Sequence, residues 1–331
     1  CSLVGSEMCI RDSSKTWGVT VPETPGYRLD QMMAGMHDDR IKAFFIMGED
    51  PILSEPDANH VEQGFAGLEF VVCQDIFLSE TARKYAHVVL PAACFAEKNG
   101  TFTNSERRVQ MCRKAVDPPG QARPDWEIIQ AVARALGADW NYATPEQIWD
   151  EVADLSPRFT GIRYDRIQDE GIQWPCWDRE HPGEKFMHEG KPFRGKARMF
   201  PIEYRPPHEV ADDEYDLTMS TGRILFHYNA ATQTRRVSGL TDKQDGAFIE
   251  VNPSDAAIRG IEPDEKIVIR SRRGAIQARA ELTAAVPPGV VWMPMHYAEA
   301  RANELTHDVG DPEIGTPEYK VTAVRLEKLA G

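Results

Sequence analysis

The chain has 331 residues, 41% of them apolar and 27% charged, with 38 basic against 52 acidic side chains and a net charge of −14. That length suggests roughly two domains of ~150 residues. The acidic balance excludes a general nucleic-acid-binding face, which needs clustered basic charge, and no run of ~18 apolar residues offers a membrane span. The six cysteines, Cys1, Cys9, Cys73, Cys94, Cys112 and Cys176, form no C-x-x-C pair, so zinc and iron–sulfur spacing are absent from this stretch. Scattered thiols without a secretory leader fit a reducing, cytoplasmic compartment.

Taken in order, Cys1–Ser13 ("CSLVGSEMCIRDS") shows neither helical nor strand periodicity. It resembles translated adapter sequence and is set aside as non-native. The chain is expected to be a fragment whose upstream part is missing. From Lys42 the pattern alternates. "KAFFIMG" reads as a buried strand, "EPDANHVEQGFAG" as a helix capped by Asp57 or Ser54, and "LEFVVCQD" as a second strand. "LSETARKYA" is a helix capped by Ser79, and "HVVLPA" a third strand stopped by Pro91. Short loops between strand, helix and strand predict a parallel sheet with right-handed crossovers.

"EKNGTFTNSERRVQ" is polar and reads as a loop. "RPDWEIIQAVARALGADW" predicts an amphipathic helix with Trp126, Ile129, Ala133 and Leu136 on one face, Asp125 as its cap and Gly137 ending it. "TPEQIWDEVADLSP" predicts another, with Thr144 as cap and Pro145 in the first turn. Residues 158–210 lose periodicity and read as a connector packed through aromatic side chains. From Tyr215 six strand candidates follow: "YDLTMST", "GAFIEVN", "KIVIRSR", "AIQARAEL", "VVWMPMH" and "YKVTAVRLEK". A helix "NPSDAAIRGI" interrupts them, and "SRRGAI" reads as a tight turn with Gly274 at positive φ. Many short strands separated by turn signals predict a barrel.

The chemistry-bearing stretches lie at strand ends. In an open α/β sheet ligands bind beyond the carboxyl ends of the strands. "MGEDP" places Glu49 and Asp50 there, and "CQD" places Gln74 and Asp75 at the same edge of the next strand. Ionised carboxylates only accept hydrogen bonds, so this rim suits hydroxyls or the N–H groups of a guanine edge; a solvated acidic turn is the plainer alternative. "STGRILFHYNAATQTRRV" brings Thr221, Gly222 and Arg223 to the end of a strand, a phosphate-friendly set without a P-loop. His227 there reads more readily as a satisfied polar side chain than as a ligand, since no carboxylate or second histidine stands at helical spacing to support a metal site.

Together these stretches resemble one family. "MGEDPILSEPD", "VVCQDIFLSETA", "YAHVVLPAA", "EKNGTFTNSERRVQ", "ARPDWEII", "GIQWPC", "STGRILFHY", "PPGVVWMPMH" and "TPEYKVTAVR" resemble, in order, the C-terminal portion of the catalytic (alpha) subunit of molybdenum- or tungsten-dependent formate dehydrogenases, within the molybdopterin oxidoreductase superfamily. The resemblance implies an α/β, parallel-sheet Rossmann-like domain over residues 14–157, the connector over 158–210, and a mostly β double-psi barrel over 211–331. It implies a bis-molybdopterin guanine dinucleotide cofactor carrying Mo or W. Asp50, Ser54, Gln74, Asp75 and Asp125 match contact positions in the first domain. Thr221, Gly222, Arg223, His227, Tyr228, Asn303, Tyr319 and Lys320 match those in the barrel.

The metal ligand, the active-site residues and the 4Fe–4S cysteines of the family lie upstream, so no catalytic residue or metal ligand is expected here. Formate as substrate and electron-accepting iron–sulfur or flavin subunits, NAD-linked in some members, are the implied partners. Two alternatives stay open: a sister enzyme such as a nitrate reductase, and a non-catalytic iron–sulfur scaffold. One departure stands out. After His227-Tyr228 the family often continues His-Thr-Gly-Thr-Met-Thr-Arg-Arg, whereas this chain has Asn229-Ala230-Ala231-Thr232-Gln233-Thr234-Arg235-Arg236, which puts contacts over Asn229–Gln233 in doubt.

Overall fold

The computed structural model describes residues 7–190, 195–244 and 246–329. In chain order the first elements are α1 (Glu7–Trp17), α2 (Leu29–Gly35), β1 (Ala43–Met47), α3 (Pro51–Ser54), α4 (Ala58–Gly67), β2 (Phe70–Asp75), α5 (Glu80–Tyr85) and β3 (Val88–Pro91). There follow β4 (Gly100–Thr103), β5 (Arg108–Cys112), α6 (Asp125–Ala135), α7 (Pro145–Leu155) and β6 (Ile172–Gln173). The rest are β7 (Leu217–Gly222), α8 (Ser238–Thr241), β8 (Phe248–Val251), α9 (Pro253–Arg259), β9 (Lys266–Arg270), β10 (Ala275–Leu282), β11 (Val290–Pro294) and β12 (Thr322–Lys328). Two compact units form: Cys1–Gly26 with Leu90–Glu203, and Tyr27–Val89 with Tyr204–Gly331.

The second unit holds a parallel sheet and a barrel. The sheet runs β1-β2-β3, with β1 and β2 paired in parallel from Ala43↔Phe70 to Met47↔Gln74. Ile46, Val71 and Cys73 point from it into a core shared with Ile52, Val61 and Phe65. Burial pushes the Cys73 thiol up to about 11, which leaves it an unreactive apolar filler. The helix starts follow the local chemistry: Asp57 accepts from the His60 N–H at α4 and Ser79 from the Ala82 N–H at α5. The six expected strands all form and close as β10-β8-β11-β7-β12-β9. Strict alternation along β7 sends Leu217, Met219 and Thr221 inward. There Leu217 and Met219 meet Ile249, Ile267, Ile269, Met293 and Val324, the period-two pattern of a filled barrel.

Gly274 does not take positive φ, and the turn needs glycine for a different reason. A Cβ there would stand 2.9 Å from the Asn59 carboxamide and 2.9 Å from the Glu304 carbonyl, so the position is one of close backbone approach.

The first unit carries the larger departures from expectation. The polar "EKNGTFTNSERRVQ" is a β4–β5 hairpin, paired from Gly100↔Cys112 to Thr103↔Val109 and extended by β6. The Asn104 side chain closes its turn by accepting from the Glu106 and Arg108 amides at 3.1 and 3.0 Å. Val109 is its one fully buried strand residue and packs with Ile162, Ile167 and Cys176. Trp149, Phe159 and Trp174 pack edge-on beside that core. In α6 the buried residues are Ile128 and Gln130, and Leu136 is 83% exposed, so the predicted stripe is not the packed face. Pro124, not Asp125, occupies the cap position, and Asp125 ion-pairs with Lys98. Helix α1 begins at Glu7 within the segment that showed no periodicity; residues 1–6 of that segment lie outside the described residues. Among the described residues no helix is long and apolar enough to cross a membrane.

Candidate functional site

At the carboxyl end of β1, Gly48 turns the chain at φ +65° and donates its N–H to the Gln74 carbonyl at 2.9 Å. The turn delivers Asp50 to a buried position. Its carboxylate accepts from the Glu80 N–H (3.0 Å), the Thr81 N–H (2.9 Å) and the Thr81 hydroxyl (2.6 Å). Three of the roughly four acceptor positions of a carboxylate are thus committed to the start of α5. Gln74 is buried beside it on β2. Asp75 accepts from the Ile76 N–H at 2.6 Å, and its carboxyl is raised above the ordinary carboxylate range by burial. The acidic rim expected from "GEDP" and "CQD" therefore exists, with Asp50 turned inward.

The corner after α3 is fastened to the barrel unit's last loops. Asn303, buried, donates to the Leu53 and Ser54 carbonyls at 3.0 and 2.9 Å, and the Tyr319 hydroxyl donates to the Ser54 carbonyl at 3.1 Å. Tyr319 is shifted upward by burial and then by the Glu55 charge. Arg301 ties the same corner to Glu62 of α4. Burial alone would raise the Glu62 carboxyl, but hydrogen bonds from Arg301, Lys84 and Tyr85 hold it at about 2.

From Tyr319 the contacts continue to the end of β7. The Thr221 hydroxyl donates to the Tyr319 carbonyl at 2.8 Å, and the Lys320 ammonium donates to the Thr221 carbonyl at 2.5 Å. Lys320 is lowered by burial and then by the neighbouring Arg223 charge. Arg223 stands on the strand end after Gly222, with its Nε donating to the Asn229 side-chain oxygen at 3.1 Å. Among the described residues neither cation has an ion-pair partner. His227 is buried: its Nε2 faces the Gln244 carbonyl at 3.2 Å, and its Nδ1 meets no partner among the described residues. Tyr228, next in the chain, is 75% exposed.

The structure thus brings together Ser54, Thr221, Gly222, Arg223, His227, Tyr228, Asn303, Tyr319 and Lys320, with Asp50, Gln74 and Asp75 at the sheet end of the same unit. Asp125 belongs to the other unit, paired with Lys98. Three contributors carried no signal of their own in the sequence: Thr81, which holds Asp50, Arg301, and His296 at the end of β11. A hydroxyl, an arginine or a histidine in such a place becomes meaningful only once its partners are known.

Two neighbouring unpaired cations, a buried imidazole nitrogen without a partner and a hydroxyl-bearing strand end fit an anionic, polar ligand. Phosphate is the matching chemistry for the Arg223–Lys320 pair. The donor set holds no cluster of His, Cys, Asp or Glu able to ligate a metal among the described residues.

Comparison with known proteins supports that chemistry. The "Molybdopterin oxidoreductase" family matches residues 6–135, and the "Molydopterin dinucleotide binding domain" matches residues 217–323. The F420-dependent formate dehydrogenase subunit alpha of Methanocaldococcus jannaschii is 45% identical over 322 residues, 96% of this chain and 46% of that protein. The F420-dependent formate dehydrogenase 2 subunit alpha of Methanococcus maripaludis is 47% identical over 295 residues, 88% of this chain and 44% of that protein. An assimilatory nitrate reductase catalytic subunit of Bacillus subtilis is 36% identical over 329 residues, 95% of this chain and 46% of that protein. The chain therefore spans about half the length of these curated relatives. Acetylene hydratase from Pelobacter acetylenicus shares the fold, with a TM-score of 0.67 at 16% identity over 97% of this chain and 50% of that one. With both domains matched and in order, the chain belongs to the molybdopterin oxidoreductase family.

Proposed function

We propose that this chain is the cofactor-holding section of a formate dehydrogenase alpha subunit, and that it binds the guanine dinucleotide arms of a bis-molybdopterin cofactor. The observation that carries the reading is the Arg223–Lys320 couple by the end of β7, without an ion-pair partner among the described residues and fastened to Thr221. The 45% and 47% identities to formate dehydrogenase alpha subunits support the choice of reaction. When bound, the Mo- or W-pterin group supplies the two-electron chemistry that takes formate to CO2. Arg223 and Lys320 bind phosphate; Thr221 and Tyr228 flank it. Asn303 and Tyr319 orient the strand-end corner at Ser54, and Gln74 and Asp75 form the acceptor rim for a guanine edge. With most of its acceptor capacity spent on α5, Asp50 serves by fixing that rim.

In this reading residues 14–157 act with the barrel of 211–331. The metal ligand and a 4Fe–4S cluster are supplied from outside the chain, electrons leave to iron–sulfur or flavin subunits, and the complex works in the cytoplasm. The chain alone has no turnover.

The test is to purify the chain from a host that makes the cofactor and to measure guanine nucleotide released on acid hydrolysis. The parent chain should release it, and Arg223→Ala with Lys320→Ala should lower the yield at least tenfold. Equal yields would overturn the reading. The 36% identity to a nitrate reductase favours a second reading. In the holoenzyme carrying this chain, formate should reduce a viologen dye; nitrate-dependent oxidation of reduced dye without formate turnover would decide for that alternative.

A further inference from the structure

Resting on that reading, we propose that His296 is a positioning residue for Arg223, clamping both sides of the loop that carries the guanidinium. His296 sits just beyond β11 and is buried. Its Nε2 accepts the Ile224 N–H at 3.0 Å, so its Nδ1 carries the proton and donates to the Asn229 carbonyl. One ring therefore holds the residue after Arg223 and the residue whose side chain orients Arg223, since Asn229 Oδ1 accepts from Arg223 Nε at 3.1 Å. Asn229 meets both demands at φ +48°, a conformation asparagine tolerates better than most residues.

Only the neutral, Nδ1-protonated ring can make both bonds, because a protonated ring has no acceptor for Ile224. The surroundings favour that state: burial, then the nearby His227 and Arg223, lower the His296 pKa. The titratable groups facing it are those two and Tyr297, with the His227 ring centroid at 5.9 Å and that of Tyr297 at 6.4 Å. Arg223 is exposed, and among the described residues no carboxylate pairs with it, so without the clamp its long side chain would sample many rotamers and lose the preorganisation that phosphate binding needs.

The experiment uses the 331-residue chain, GDP as the probe in titration calorimetry, and amide hydrogen exchange at Ile224. His296→Leu should weaken GDP binding about tenfold, the loss of one or two hydrogen bonds that order the binding group, and should speed exchange at Ile224. In His296→Gln the side-chain oxygen can again accept from Ile224, and it should recover part of both. Arg223→Ala should weaken GDP binding without changing exchange at Ile224. His296→Leu with parental GDP affinity beside a weakened Arg223→Ala would overturn the positioning role and leave the phosphate reading standing. No GDP binding by the parent chain would overturn both. Should His296→Leu fail to fold, His296→Gln decides: affinity and Ile224 protection that move together support the clamp, and protection lost with affinity intact overturns it.

Discussion

Replacing Asp50 separates a fold-building carboxylate from a ligand-reading one. The side chain is buried and takes three hydrogen bonds from Glu80 and Thr81. Hydrogen bonds to a charged group contribute ~1.5–3 kcal/mol each, and stranded donors add a desolvation cost. Some of this is offset because the alanine variant no longer buries a charge. Asp50→Ala should therefore destabilise the sheet-and-barrel unit by about 3–5 kcal/mol. Asp50→Asn keeps an oxygen for Thr81 but turns an NH2 group toward the Glu80 N–H, so about 1–2 kcal/mol is expected. Urea unfolding, followed by the tryptophan and far-ultraviolet signals together so that the two units can be told apart, measures both. A cycle with Thr81→Val tests the pair directly, since residues in contact should couple by ~0.5–3 kcal/mol. An Asp50→Ala variant within 1 kcal/mol of the parent would refute the reasoning. GDP affinity lost in Asp50→Asn at parental stability would move Asp50 back to direct ligand contact.

Glu62, held at about 2 against an ordinary 4.5, stabilises the fold above the unfolded-state value, and that contribution is lost as pH falls from 4.5 through 2. Parent and Glu62→Gln unfolding free energies should differ by about 2–3 kcal/mol at pH 6, and the difference should shrink from about pH 4.5 downward and close only as pH falls below about 2; a pH-independent difference would contradict this. Gly274→Ala pushes a methyl to 2.9 Å from Asn59 and from the Glu304 carbonyl. It should cost about 1–3 kcal/mol and lower the melting temperature, whereas a melting temperature at or above the parent's would show that the approach is slack.

The sheet and the barrel were legible because their strands carry alternating or continuous apolar residues between turn signals, and both patterns are read by burial. "LEFVVCQD" buries Val71 and Cys73 and "KIVIR" buries Ile267 and Ile269, whereas "KAFFIMG", expected as a buried strand, buries only Ile46 and was legible by its apolar run alone. The β4–β5 hairpin was illegible for the same reason: Val109 is its one fully buried residue, so hydrophobic period had nothing to register. Its structure rests on backbone pairing and the Asn104 turn. The α6 face was misread because helix periodicity fixes a spacing but not a phase: Ile128 and Ile129 compete as neighbours, and the tertiary partner selects Ile128. Asp125 illustrates the limit of cap rules. An acid before an apolar helix fits a cap, yet Lys98 draws it into an ion pair one position later.

The site divides along the same line. Thr221, Gly222 and Arg223 stood out because a strand ending in hydroxyl, glycine and guanidinium is unusual. Asn303, Tyr319 and Lys320 carried no spacing signal, and only the resemblance selected them. The altered segment after Tyr228 shows what structure adds to such a resemblance. Where the family often has glycine, this chain has Ala231, and Ala231 still holds φ +58° while buried. That conformation costs an alanine about 1–2 kcal/mol relative to the right-handed region. It persists because the Ala231 N–H donates to Tyr228, its carbonyl accepts from Arg235, and Asn229 is fixed from both directions by His296 and Arg223. Ala231 therefore takes at this position the left-handed backbone that glycine adopts most readily. What changes is the side chain at 229, where a carboxamide stands in the family's histidine position and takes the orienting hydrogen bond from Arg223.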